Sequence, residues 1–466
     1  MTGEHRLDGA TGVRPAAEKA ALSLTVVSAA TALVLIVFTI PLTTMSATSR
    51  MLAMGPSGEA WLLSAMPLGA ATGLLGAAAL GDDHGRRLVF LWGLGVMAAA
   101  SVLGAVATTS LVLIVARIVQ GLGGAAVMAC GLGLVGRIYP EGRARATAAG
   151  VWAAGLGAGV AIGPILASCL TGLGGWTASY WANAILSAGL LVAGHVLLPP
   201  SEPRRPQPAD WLGTILLMAG LAMFMAALTE MRFGIARPTV ILLLAGGLAV
   251  LGAFAVVELR HPRPILELHL FRSPAFSGAT IAAFASGAGV LALMSLVPTM
   301  MMRAMQATAL DASLVLTAWS ATSVVTALGA RWLPETLTPR VLLVGGLIAC
   351  GVAQMLLFGR SPDGSALLLL PGLFLAGAAN GVLNAALGRQ AVATVPADRV
   401  AMGSGANNTA RYLGSAIGIT VGAVLMAHGA DVDGVDGLLS GWNEATLITT
   451  GFSLLGAITV AVARDG

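Results

Sequence analysis

Long, nearly unbroken apolar runs separated by short polar connectors make up most of the chain. They centre on residues 22–45, 61–80, 88–108, 111–136, 147–170, 178–198, 210–229, 238–257, 277–301, 312–332, 341–358, 365–388, 404–427 and 445–463. Each supplies about 20 residues, the length a helix rising 1.5 Å per residue needs to cross a bilayer core. Apolar positions do not alternate with polar ones, so the strands of a membrane barrel are excluded. In lipid the helix is then the fold that satisfies its own backbone. The pattern predicts an all-α integral membrane protein with fourteen transmembrane helices. Pro199–Asp210, with five prolines, follows six runs, and Leu259–Ala275 follows two more. The predicted layout is a tail (1–19), a six-helix bundle (20–198), a linker with two additional helices (199–275) and a second six-helix bundle (276–466).

Composition points the same way. The chain is 57% hydrophobic and 10% charged, against roughly 25% charged in ordinary soluble domains. There is too little polar surface to cover a globule in water. The run at 20–45 is too long for a signal-peptide core and reads as an uncleaved first span. The net charge of +4 gives no reason to expect nucleic acid, because the basic residues sit in connectors. If both ends lie on one side, eighteen Arg or Lys fall on that side, five fall on the other, and Arg117 and Arg411 lie within spans. That bias predicts cytoplasmic termini in an inner (plasma) membrane protein. Cys130, Cys169 and Cys350 fall within apolar runs and read as small core residues. No metal-ligand spacing, Walker-type loop or strand-borne dinucleotide motif occurs. No cofactor, metal or enzymatic activity is expected.

Three motifs carry chemistry. The connector after the second run reads Leu80-Gly81-Asp82-Asp83-His84-Gly85-Arg86-Arg87, with Phe90 beyond it. Gly85 suits a tight turn, and Asp82 can take up arginine charge or a helix N-terminus. The fourth run carries Arg117-Ile118-Val119-Gln120-Gly121. Arg117 and Gln120 share a helix face, and Arg117 lies about 9 Å from the outer end, close enough to snorkel. The fifth run carries Gly150, Gly159, Gly163 and Pro164, and Gly155, Gly159 and Gly163 form a stripe at spacing four. Such a stripe lets helices approach closely, and the proline favours a kink. Two further stretches stand out, one being Trp176, Tyr180 and Asn183. The other is Asn408-Thr409-Ala410-Arg411-Tyr412-Leu413-Gly414 with Gly418.

Together these stretches resemble the major facilitator superfamily, and more narrowly its fourteen-span drug:proton antiporter branch. The resemblance covers nearly the whole chain. Ala78, Asp83, Ala167 and Ser168 depart from the family pattern. The resemblance implies two six-helix bundles with a substrate cavity between them and two extra central helices. It makes Asp82, Gly85, Arg86 and Arg87 a conformational latch. It gives Arg117 and Gln120 a part in proton coupling, and it associates Gly150, Gly159, Gly163 and Pro164 with export.

One family feature is missing. The first span reads Phe38-Thr39-Ile40-Pro41-Leu42-Thr43-Thr44-Met45-Ser46, with hydroxyls but no acid, and no carboxylate falls at mid-span elsewhere. That weakens cation selectivity and leaves Arg117 and Arg411 as fixed charges. Thr43, Thr44, Ser46, Asn380, Asn384, Asn408 and Arg411 are candidates for the substrate cavity, with Gln354 beside them; helix–helix hydrogen bonding is an equal reading of each. The expected function is export of small, largely apolar compounds, drugs or secondary metabolites, by proton antiport through alternating access. The alternative is an importer or facilitator of a neutral or anionic small molecule. The expected partners are that small molecule, protons and the lipid bilayer, around a monomer.

Overall fold

The computed structural model describes residues 9–139, 143–200, 210–231, 236–261, 268–334, 336–395 and 400–462, with the single positions 234, 264 and 266. Its helices are α1 (Gly9–Met51), α2 (Pro56–His84), α3 (Arg86–Ala105), α4 (Ser110–Ile138), α5 (Arg143–Gly174), α6 (Thr177–Leu197), α7 (Trp211–Glu230) and α8 (Pro238–Arg260). They continue as α9 (Pro274–Ser286), α10 (Ala292–Ala304), α11 (Ala309–Gly329), α12 (Pro339–Met355), α13 (Leu370–Ala393) and α14 (Val400–Val462). Helix starts follow local chemistry. Thr109 accepts from the Val112 amide at 3.3 Å, Asp210 from Gly213 at 2.7 Å, and Thr308 from Asp311 at 3.1 Å. Each supplies an acceptor to an otherwise orphaned N–H of the first turn.

Among the described residues, 12 helical segments are long and apolar enough to cross a membrane, and Pro339–Met355 is a shorter apolar helix. The protein is an all-helical, multi-pass membrane protein. Two elements differ from the pattern reading. The run at 277–301 is interrupted by a π-helical turn over Gly287–Leu291, between α9 and α10. A Cβ on Gly287 would strike the Arg411 carbonyl, and one on Gly289 the Ser453 hydroxyl. The bulge therefore sits where α14 presses closest.

The second difference concerns the end of the chain. The polar connector left between the runs at 404–427 and 445–463, His428 to Glu444, is helical except at Asp433 (φ −141°, ψ 30°) and Gly434 (φ 58°, ψ −126°). Gly429 and Gly437 would lie about 12 Å apart in one straight helix. Instead, a Cβ on either would collide with the carbonyl of the other, and one on Gly441 would meet the Leu425 carbonyl. The chain therefore reverses at Asp433–Gly434, and three glycines let its two arms touch backbone to backbone.

Packing sorts the helices into two groups. Val34, Leu74, Phe90, Leu94 and Val127 form a core among α1–α4, extended by Ile40, Leu62, Leu113 and Tyr180. Leu293, Leu316, Leu347, Leu383 and Trp442 form another among α10–α14. The groups meet where α2 runs along α14 and where α5 runs along α11. The α7–α8 pair covers the first of these seams. Leu217, Leu221 and Phe254 pack with Leu75 of α2 and with Met402 and Ala406 of α14.

Candidate functional site

Arg117 of α4 is fully buried. It does not run to the membrane end of its helix. Its Nη1 donates to the Val37 carbonyl at 2.6 Å and to Gln120 Oε1 at 3.2 Å, and its Nη2 donates to the Phe38 carbonyl at 3.2 Å. The local reason is Pro41, four residues after Val37. A proline has no N–H, so the Val37 carbonyl loses its helical donor. The guanidinium fills that vacancy. Gln120 passes the link on, donating from Nε2 to Ser101 Oγ at 3.0 Å, and Ser101 donates to the Met97 carbonyl at 2.7 Å. One arginine thus ties α1, α3 and α4 together, and no carboxylate pairs with it among the described residues.

The glycine stripe of α5 has a matching partner. Cβ atoms on Gly155, Gly159 and Gly163 would meet the Ser28 carbonyl, the Ala32 carbonyl and the Thr39 hydroxyl of α1 respectively. Thr43 Oγ1 adds a hydrogen bond to the Pro164 carbonyl at 3.3 Å, and Trp152 Nε1 donates to Thr31 Oγ1 at 3.0 Å. Gly150 has open space around it. On the other side of α5, Gly157 abuts Val324 of α11, across the seam between the groups.

At the α2–α3 turn, Gly85 has φ 96°, a conformation that favours glycine. Arg86 lies against Gly133 of α4, and Arg87 Nη2 donates to the His195 carbonyl that ends α6. Asp82 lies in the last turn of α2; its side chain is outside the described residues.

Arg411 of α14 is half-buried between the groups. Its Nη1 donates to Asn384 Oδ1 of α13 at 3.0 Å, and its guanidinium carbon lies 5.4 Å from the centroid of the Tyr412 ring. Tyr412 reaches into the other group, 6.3 Å from the Phe38 ring, with its hydroxyl 3.5 Å from Met128 Sδ. The other cavity candidates are drawn off elsewhere. Asn380 Nδ2 donates to Ser323 Oγ at 3.1 Å, and Asn408 Nδ2 donates to the Ser404 carbonyl at 3.0 Å. Thr44 donates to the Ile40 carbonyl at 3.0 Å, and Gln354 to Ser453 Oγ at 2.9 Å. Ser46 is exposed near the end of α1.

Several contributors are missing from the sequence-based set. Pro41 is legible in hindsight, because a proline within a span always frees a carbonyl. Ser101 and Ser323 carry no such signal. Nor does the hydrogen bond between Ser64 Oγ and Thr420 Oγ1, at 3.1 Å, that joins α2 to α14. Tyr412 lies within the Asn408–Gly414 stretch without a role of its own being assigned there.

Comparison with known proteins gives a consistent set. The family model described as Major Facilitator Superfamily matches residues 22–419 and 279–465. The puromycin resistance protein of Streptomyces alboniger is 29% identical over 459 residues, 95% of this chain and 91% of that protein. The multidrug resistance protein Stp of Mycobacterium tuberculosis is 28% identical over 382 residues, 81% of this chain and 71% of that protein. The tetracenomycin C resistance and export protein of Streptomyces glaucescens is 30% identical over 223 residues, 47% of this chain and 41% of that protein.

Proposed function

Because the chain belongs to the major facilitator superfamily, we propose that it is a secondary transporter that exports small, largely apolar compounds in exchange for protons. The observation that carries the reading is the way the helix groups meet. Two seams, α2 with α14 and α5 with α11, flank a region where Arg411 and Asn384 stay half-exposed. Two rigid groups hinged on such seams can expose a central site to either side in turn. Export rather than uptake is supported by the α5 motif of Gly150, Gly159, Gly163 and Pro164, which the family resemblance associates with export, and by the relatives, whose names describe resistance and, in one case, export.

The chain has fourteen spans in this reading. Pro339–Met355 counts as one, α9 and α10 with the π-turn between them form another, and the two arms of α14 count separately. Six helices, the α7–α8 pair and six more make up the fourteen-span branch, with both termini in the cytoplasm of a monomer in the inner membrane. Asp82, Gly85, Arg86 and Arg87 act as the latch of one conformation, and Arg117 with Gln120 supports proton coupling. The test is uptake of radiolabelled puromycin, and of other compounds found in a susceptibility screen, into everted vesicles under an imposed pH gradient. An exporter accumulates at least one compound and releases it when an uncoupler is added. Gradient-independent equilibration of every compound refutes the reading in favour of a facilitator.

A further inference from the structure

Arg117 and Arg411 both lie in apolar helices, and the structure uses them differently. Arg117 is fully buried and spends its terminal nitrogens on two carbonyls and an amide. Arg411 is half-buried and makes one hydrogen bond, from Nη1 to Asn384 Oδ1. Its buried Nε donates to nothing. Among the described residues its Nη2 also lacks an acceptor, and no carboxylate pairs with it. Asn384 uses its oxygen for Arg411, which leaves its Nδ2 without an acceptor among the described residues. The cluster therefore offers donors and no acceptor.

Its position makes that imbalance matter. Arg411 lies about 16 Å along α14 from Val400, and Asn384 about 14 Å from the end of α13, at 1.5 Å per residue. A cation at that depth is unfavourable unless something neutralises or hydrates it. The unused Nη2 of Arg411 can donate to an anionic oxygen in a charge-assisted hydrogen bond. Tyr412 covers one face of Arg411 and leads to the half-exposed Phe38 ring, so an apolar surface borders the donors.

We propose that Arg411 and Asn384 form the recognition site for an amphiphilic organic acid, an apolar ring system carrying a carboxylate or a similarly acidic oxygen. The anionic oxygens accept from Arg411 Nη2 and from Asn384 Nδ2, and the ring packs against Phe38. This rests on the transporter reading and names the substrate class of its central site.

The test uses the full chain in lipid nanodiscs and equilibrium dialysis with radiolabelled naphthoate, naphthamide and naphthylmethylammonium. Naphthoate should bind about tenfold more tightly than the ammonium probe, and Arg411→Gln should weaken naphthoate about tenfold while changing naphthamide little. Arg411→Lys should fall between, and Asn384→Ala should weaken naphthoate more modestly. These two variants carry the test if Arg411→Gln does not elute as a folded monomer. Equal or tighter binding of the ammonium probe overturns the proposal. So does naphthoate binding indifferent to all three substitutions, or no naphthoate binding to the unmodified protein, since water alone then satisfies Arg411. Everted vesicles carrying the same proteins, under an imposed pH gradient and with the same three probes, report on the parent reading independently. Arg411-dependent binding without gradient-driven uptake refutes export and keeps the site. Driven uptake confined to the ammonium probe refutes the site and keeps export.

Discussion

Glu59 near the start of α2 and Arg303 near the end of α10 form an ion pair, Arg303 Nη2 lying 2.5 Å from Glu59 Oε2, and the pair joins the two groups of helices. Ser49 of α1 donates to the other carboxylate oxygen at 2.7 Å. The contact lies at the end of α2 opposite the Gly85 turn, so it ties the groups together on one side of the bundle. Any motion that opens that side must break it. Both side chains are partly exposed, which limits the pair to about 0–1 kcal/mol. Glu59→Gln and Arg303→Gln are each expected to change the transport rate by about two- to fivefold. The exchange Glu59→Arg with Arg303→Glu should restore most of it. A rate in the exchanged protein equal to the product of two single defects would show that the pair is not a unit.

The Val37–Arg117 contact makes a sharper case. Arg117→Gln leaves the Val37 carbonyl short of a donor, at about 1–3 kcal/mol when left unsatisfied. Pro41→Ala returns an N–H to Val37 by restoring the helical bond. The two substitutions together should therefore destabilise by less than the sum of the singles, read as thermal unfolding midpoints in detergent. Additive effects would break the link between the proline and the arginine.

The α5 stripe gives a contrast along one helix. Gly159→Val and Gly163→Val place carbons on the backbone and Thr39 of α1, where overpacking costs about 1–3 kcal/mol or more. Gly150→Ala meets open space and should leave stability unchanged. Fluorescence-detected size exclusion separates these outcomes, and loss of the folded peak in Gly150→Ala alone would contradict the packing.

The reversal in α14 is open to labelling. A cysteine at Asp433, in a chain whose Cys130, Cys169 and Cys350 are replaced by alanine, should react with a membrane-impermeant maleimide added outside intact cells. Reaction only after lysis would argue against an outer turn and against fourteen spans. Gly434→Ala forces a side chain into a backbone conformation (φ 58°, ψ −126°) costing about 1–3 kcal/mol, and it should lower the unfolding midpoint.

Much of the architecture is legible in the linear pattern, because lipid makes one demand of every span. Twenty apolar residues and a closed set of backbone hydrogen bonds are both local properties. The helices, the Gly85 turn and the α5 stripe follow from that demand and from glycine geometry. The connector His428–Glu444 differs, because polar residues mark the membrane exit but not the end of a helix. Only Asp433 and Gly434 leave helical geometry there.

What the sequence alone determined about this protein was its solvent, its helices and the residue types that carry charge within them. It could not rank Arg117 against Arg411, since each is one arginine in one apolar run. The tertiary structure decided that. A proline on α1 frees a carbonyl within reach of Arg117, while the helices around Arg411 offer it a single amide. Hydrogen-bond satisfaction in a membrane is settled between helices, by partners 27 to 80 residues away, and no local pattern records which partners meet.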